Sequence, residues 1–229
     1  MLDALRRQVL AANLALPAHG LVTLTWGNAS GIDRSSGLVA IKPSGVPYEQ
    51  LTLEDIVLVD VQGEVVDGGR RPSTDTPTHL ALYEAFEEIG GIVHVHSPWA
   101  TAWAQAQREI PVLGTTHADL SPYPIPLTRP LSDEEVASDY ERATGAVLVE
   151  AVAERGPLEQ PAALARGHAP FSWGSDPAAA VDHAVTLERV AQTALLTLVL
   201  DPSATALADA VRDKHFERKH GPGAYYGQR

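Results

Sequence analysis

Cysteine is absent from the 229 residues, which excludes disulfides, thiolate metal ligands and a cysteine nucleophile. Any metal must then be held by imidazole nitrogen and carboxylate oxygen, a donor set that suits zinc, manganese or a similar divalent ion. Positive charge is scarce as well: 17 Lys and Arg against 29 Asp and Glu give a formal net charge of −12. Such a field repels polyanions, so nucleic acid and anionic membrane are not expected partners, and an anionic small molecule fits only where local donors outweigh the charge. No apolar run approaches the roughly 20 residues that span a bilayer. The opening stretch from Met1 to Leu16 is amphipathic rather than a signal peptide, so a cytoplasmic protein is expected. What is present is ordinary globular material, 45% hydrophobic and 20% charged, and at this length one domain over residues 1–229 is expected.

Gly90 to Ser97 carries the strongest local signal, because it sets His94 and His96 one residue apart in an apolar run with Ile92, Val93 and Val95. In a strand, residues i and i+2 point to the same side, so the two imidazoles face one site. They are either a metal-binding pair or two hydrogen-bonded strand histidines. Three polar segments give the pair its context. Leu21 to Thr25 reads as a strand running into a Trp26-Gly27-Asn28-Ala29-Ser30-Gly31 loop, and Gly37 to Ile41 as a strand running into Lys42-Pro43-Ser44-Gly45. Both loops offer the backbone N–H groups, amide, hydroxyl and ammonium that phosphate oxygens bind, although each is also compatible with a plain turn. Ser73-Thr74-Asp75 ahead of Pro77 has the form of a capped helix start, where capping and anion binding compete for the same residues.

The remaining elements follow from periodicity. Leu2, Leu5, Val9, Ala12 and Leu16 paint one face of a first helix. Ile56 to Asp60 and Glu64 to Val66 make a hairpin about Gln62-Gly63. Ile110 to Leu113 reads as a short strand feeding a Gly114 to Asp119 loop, whose His117 and Asp119 are acid/base candidates. Ser132 with Glu135 forms a capping box for one long helix to Ala151. His168 stands in a connection between strands, Asp176 caps a long helix whose apolar face Glu188 interrupts, and a last helix spans about Ala206 to Lys219.

Taken in combination, the segments from Leu24 to Ser30, Ile41 to Val46, Arg71 to Tyr83, Gly90 to Ser97, Gly114 to Asp119, His168 to Gly174 and Lys214 to Gln228 resemble the class II, metal-dependent aldolase/epimerase superfamily, and within it the 4-epimerases of pentulose phosphates. The resemblance runs nearly end to end. It implies an α/β sandwich, with a largely antiparallel central sheet flanked by helices. It implies that His94, His96 and His168, with Asp75, hold a divalent ion, zinc or else manganese. It implies that Asp119 and Tyr226 form the acid/base pair, and that Gly27, Asn28, Lys42, Ser44, Gly45, Ser73 and Thr74 cradle a substrate phosphate. Thr115, Glu141, His215 and Arg218 are then supporting residues. It further implies a homotetramer with sites between subunits, the tail from about 221 to 229 reaching a neighbour, and a role in pentose catabolism such as that of arabinose. The chain departs from the family pattern at Thr74, commonly Ser, and at Arg166 and Ala169, commonly His and Gly.

The implied reaction interconverts L-ribulose 5-phosphate and D-xylulose 5-phosphate. The inverted carbon bears no acidic hydrogen, so the family cleaves the bond between carbons 3 and 4, turns the aldehyde and re-forms the bond. Two alternatives remain: an aldolase that releases its fragments, and a metal-binding scaffold that has lost the reaction. Aspartate rather than glutamate at position 75 favours the epimerase.

Overall fold

In a computed structural model of the chain, which describes residues 2–227, seven strands form one antiparallel sheet between helices. Helix α1 (Leu2–Ala18) buries Leu5, Val9, Ala12 and Leu16, the stripe their spacing predicts, with Pro17 in its last turn. Strands β1 (Asn28–Asp33), β2 (Leu38–Ile41), β3 (Val57–Val59) and β4 (Val65–Asp67) follow as a meander. After α2 (Thr76–Ala85), β5 (Gly91–His94) pairs with the other side of β1. Helices α3 (Pro98–Gln105), α4 (Thr115–Leu120), α5 (Asp133–Ser138) and α6 (Tyr140–Val152) precede the hairpin β6 (Ala162–Leu164) and β7 (Pro170–Gly174), which completes the order β4-β3-β2-β1-β5-β7-β6. Helices α7 (Pro177–Leu200) and α8 (Asp209–His220) come last. No helix among the described residues is long and apolar enough to cross a membrane.

Strand alternation divides the core into two layers. Ala40 and Leu58 pack with Leu5 and Val9 of α1, and Val93 and Val95 with α1 and α7. On the opposite face Val39, Val57, Val59, Ile92 and Trp173 pack with Leu80, Leu82 and Tyr83 of α2 and Leu148 and Val152 of α6. His94, in step with Ile92, emerges on this second face, where its ring stacks on Phe171 at 4.1 Å.

Several local expectations change. Leu21 to Thr25 is not a strand, and the Asn-Ala-Ser-Gly stretch expected as a loop is instead β1, central in the sheet. Its Gly31 explains the apolar deficit: a Cβ there would lie 2.7 Å from Pro177 Cγ and 3.1 Å from Leu5 and Val9, so α1 and α7 rest directly on the strand backbone. Ile110 forms only a bridge to Ile125, and Thr115 to Leu120 is a short helix rather than a loop. The long helix from Ser132 breaks at Asp139 (φ −135°, ψ 83°), whose carboxylate caps α6 by accepting from Arg142 N–H. Glu188, the charge on the apolar face of α7, accepts the N–H groups of Trp99 and Ala100, both at 2.9 Å, at the start of α3, where Ser97 makes no side-chain cap.

Candidate active site

The end of β5 and the turn before β7 bring three imidazoles together. The rings of His94, His96 and His168 have centroids 4.9, 4.9 and 5.0 Å apart, and one nitrogen from each lies within 4.8 Å of the others. His94 Nδ1 donates to the carbonyl of Pro170 at 3.0 Å. That bond fixes the tautomer and leaves the Nε2 lone pair directed at the site, 3.1 Å from His96 Nε2. Burial pushes His94 down to about 3 and lowers His96 and His168 as well. Three neutral, convergent imidazoles are the donor set a divalent ion requires, so the residues present fit one.

Asp75 occupies the N-cap position of α2 without capping it. Its carboxylate instead accepts from Asn28 Nδ2 at 2.7 Å and Ser73 Oγ at 3.4 Å. Burial opposes its charge, but the imidazoles of His94 and His79 and the Asn28 amide outweigh that and hold the carboxyl below the ordinary value. Behind it, buried His79 shares a hydrogen bond of 2.7 Å with Ser30, which also meets the Tyr83 hydroxyl at 2.8 Å.

One cavity of about 570 Å³ joins these groups to the loops expected to bind phosphate. Gly27, Asn28, Lys42, Ser44, Gly45, Ser73 and Thr74 all line it, together with Asp75, His94, His96 and His168. Among the described residues, buried Lys42 has no carboxylate beside it; its Nζ reaches the carbonyls of Pro43 and Thr25, at 3.3 and 3.5 Å, and lies over the Tyr48 ring. Burial lowers its pKa. The Tyr48 hydroxyl donates to the carbonyls of Trp26 and Gly27, which fixes the turn into β1. Gly27 itself has φ +81°, and a Cβ would sit 2.8 Å from the carbonyl oxygen of His94, so this loop is pressed against the histidine strand.

The other residues expected at the site lie elsewhere. Asp119, on α4, accepts from His215 Nδ1 at 3.1 Å and from Arg218 Nε and Nη2 at 3.1 and 2.8 Å on α8. Tyr226 lies beside them, its exposed ring under the Arg218 guanidinium at 5.0 Å. Neither Asp119 and Tyr226 nor Thr115, Glu141, His215 and Arg218 line the histidine cavity. Arg166, the departure beside the third histidine, points away: its guanidinium donates to the Thr128 carbonyl and to Gln107 Oε1, leaving the imidazoles alone. The last two tail positions, 228 and 229, lie outside the described residues.

The family model described as Class II Aldolase and Adducin N-terminal domain matches residues 7–195. The chain belongs to this class II aldolase family. Among curated class II relatives, the L-ribulose-5-phosphate 4-epimerase UlaF of Salmonella paratyphi C is 53% identical over 228 residues, covering 100% of both chains. Its counterpart from Salmonella typhi is 52% identical over the same span. Among solved structures, an L-fuculose 1-phosphate aldolase superposes with TM-score 0.81 at 23% identity, covering 94% of this chain and 95% of its own. At that identity the likeness speaks to the class II aldolase fold alone.

Trp26 and Tyr140 also line the cavity and are not among the expected site residues. Trp26 stands between two motif positions and its ring lies 6.2 Å from that of His96, so adjacency in the motif was an available signal. Tyr140 carries no such signal, because its spacing with Val136, Ala143, Val147 and Ala151 places it on the apolar face of one continuous helix.

Proposed function

We propose that this protein is an L-ribulose-5-phosphate 4-epimerase, interconverting L-ribulose 5-phosphate and D-xylulose 5-phosphate by opening and re-forming a carbon–carbon bond. The observation that carries this reading is a single cavity that holds a three-imidazole donor set at one place and a cationic, hydroxyl-rich and amide-rich cradle at another. The name of its full-length relatives identifies the sugar phosphate such a cavity would take.

His94, His96 and His168, with Asp75, would hold the divalent ion, zinc in the first instance. Bound there, the ion supplies Lewis-acid stabilisation of the negative charge left on the ketose fragment when the bond opens. Ser44, Gly45, Ser73 and Thr74 grip the phosphate with Asn28, and Lys42 offsets its charge. This grip keeps the aldehyde fragment from leaving while it turns. Asp119 and Tyr226 take and return the hydroxyl proton on the two faces of that aldehyde, which demand separate groups. Their separation from the cavity within one protomer supports a homotetramer in which a neighbouring copy supplies one side of the site. We place the enzyme in the cytoplasm, acting as one unit over residues 1–229.

Incubating the protein with L-ribulose 5-phosphate should give D-xylulose 5-phosphate, and a chelator should abolish the conversion. Accumulation of free two- and three-carbon fragments would move the reading to an aldolase. No turnover by metal-loaded protein would leave the scaffold alternative.

A further inference from the structure

Tyr140 enters the cavity through a break that the local sequence does not require. The stretch from Glu134 to Ala143 contains neither Pro nor Gly, yet the helix opened by the Ser132 capping box stops at Ser138 and restarts at Tyr140, with Asp139 recruited as a second cap. The restart is anchored rather than loose. Thr78 Oγ1 of α2 donates to the Glu141 carbonyl, and Arg142 pairs with Glu84 at 3.0 Å, so the first turn of α6 is fixed to the helix whose N-terminus carries Ser73, Thr74 and Asp75. Tyr140 therefore enters from the side of that turn.

The hydroxyls of Tyr48, Tyr83 and Tyr123 each have a protein partner. Among the described residues, the Tyr140 hydroxyl has none, although its ring lines a polar cavity and is 39% exposed. A phenol carried on an anchored helix start beside the expected phosphate cradle, with no protein partner for its hydroxyl among the described residues, can donate to a ligand there.

We propose that Tyr140 is a substrate-binding residue whose hydroxyl donates to the phosphate end of the sugar, adding to the grip of Ser73 and Thr74. This rests on the reading of the cavity as a phospho-sugar site, and it concerns a residue outside the loops that suggested that reading.

The test compares the full-length protein with Tyr140→Phe. In metal-free protein under chelator, titration calorimetry with inorganic phosphate should show binding to the wild type and about 10-fold weaker binding to the variant, the scale of one hydrogen bond to a charged group. In metal-loaded enzyme, KM for L-ribulose 5-phosphate should rise by a similar factor with kcat held within about 3-fold, since the contact exists in ground and transition states alike. Equal phosphate affinity in the two proteins, or a loss in kcat with KM unchanged, overturns the assignment and leaves the phospho-sugar reading intact. A wild type that binds no phosphate overturns both, so the two failures are told apart.

Discussion

Removing the carboxylate of Glu188 should destabilise the protein more than any exposed change on α7. The side chain is 6% exposed and both of its oxygens accept a backbone N–H at 2.9 Å, from Trp99 and from Ala100, the latter fully buried. Hydrogen bonds to a charged group contribute about 1.5–3 kcal/mol each. Glu188→Ala forfeits both and leaves the first amides of α3 without partners, while relief of the buried charge and the higher helix propensity of Ala offset part of the loss. The net expected cost is about 3 kcal/mol, a fall in Tm of roughly 6–12 °C for a chain of this size. Glu188→Gln keeps one acceptor but turns an NH₂ toward the second amide, so it should fall between, near about 2 kcal/mol. Urea denaturation of the three proteins gives the ordering directly. Because α3 begins two residues after His96, loosening it should also weaken retention of the divalent ion, measured by elemental analysis after dialysis. A Glu188→Ala protein within about 0.5 kcal/mol of wild type would refute the clamp, as would a glutamine variant less stable than the alanine one.

Three further outcomes follow from the geometry. Burial holds His117 down at about 4 despite its bond to the Tyr123 carbonyl, whereas the unfolded chain takes the proton near 6.5. Its contribution is therefore complete above that pH and is lost as pH falls toward 4; His117→Gln should lose about 2 kcal/mol less stability than wild type between pH 7 and 5 in urea titrations, and parallel curves would contradict this. Gly27→Ala places a Cβ 2.8 Å from the His94 carbonyl at φ +81°, so it should cost about 2 kcal/mol or more and reduce turnover, and a neutral result in both would show that the loop yields freely. Tyr226→Phe, on an exposed ring, should fold normally yet turn over ~10²-fold more slowly; near-normal rates would remove Tyr226 from the proton transfers, and partial recovery on mixing with an inactive His168→Ala protein would show that subunits share a site.

What sequence alone settled is whatever depends on a few neighbouring residues. The i, i+2 spacing brought His94 and His96 to one place although β5 ends at His94, the α1 stripe and the Ser132 and Asp176 caps marked helix starts, and the polar residues of the Lys42 and Ser73 segments line one cavity with the imidazoles. Failures came where a distant partner overrides local preference. Asn-Ala-Ser-Gly has poor strand propensity, yet it is central in the sheet because β2 and β5 satisfy its backbone and α1 and α7 require the bare Gly31. Asp75 reads locally as a cap, but the Asn28 amide across the cavity draws its carboxylate away, and Glu188 looks like a flaw in α7 until the α3 amides appear 2.9 Å from it. Only packing decides such cases, because hydrogen-bond partners nearly fifty or ninety positions apart leave no trace in the spacing of either segment.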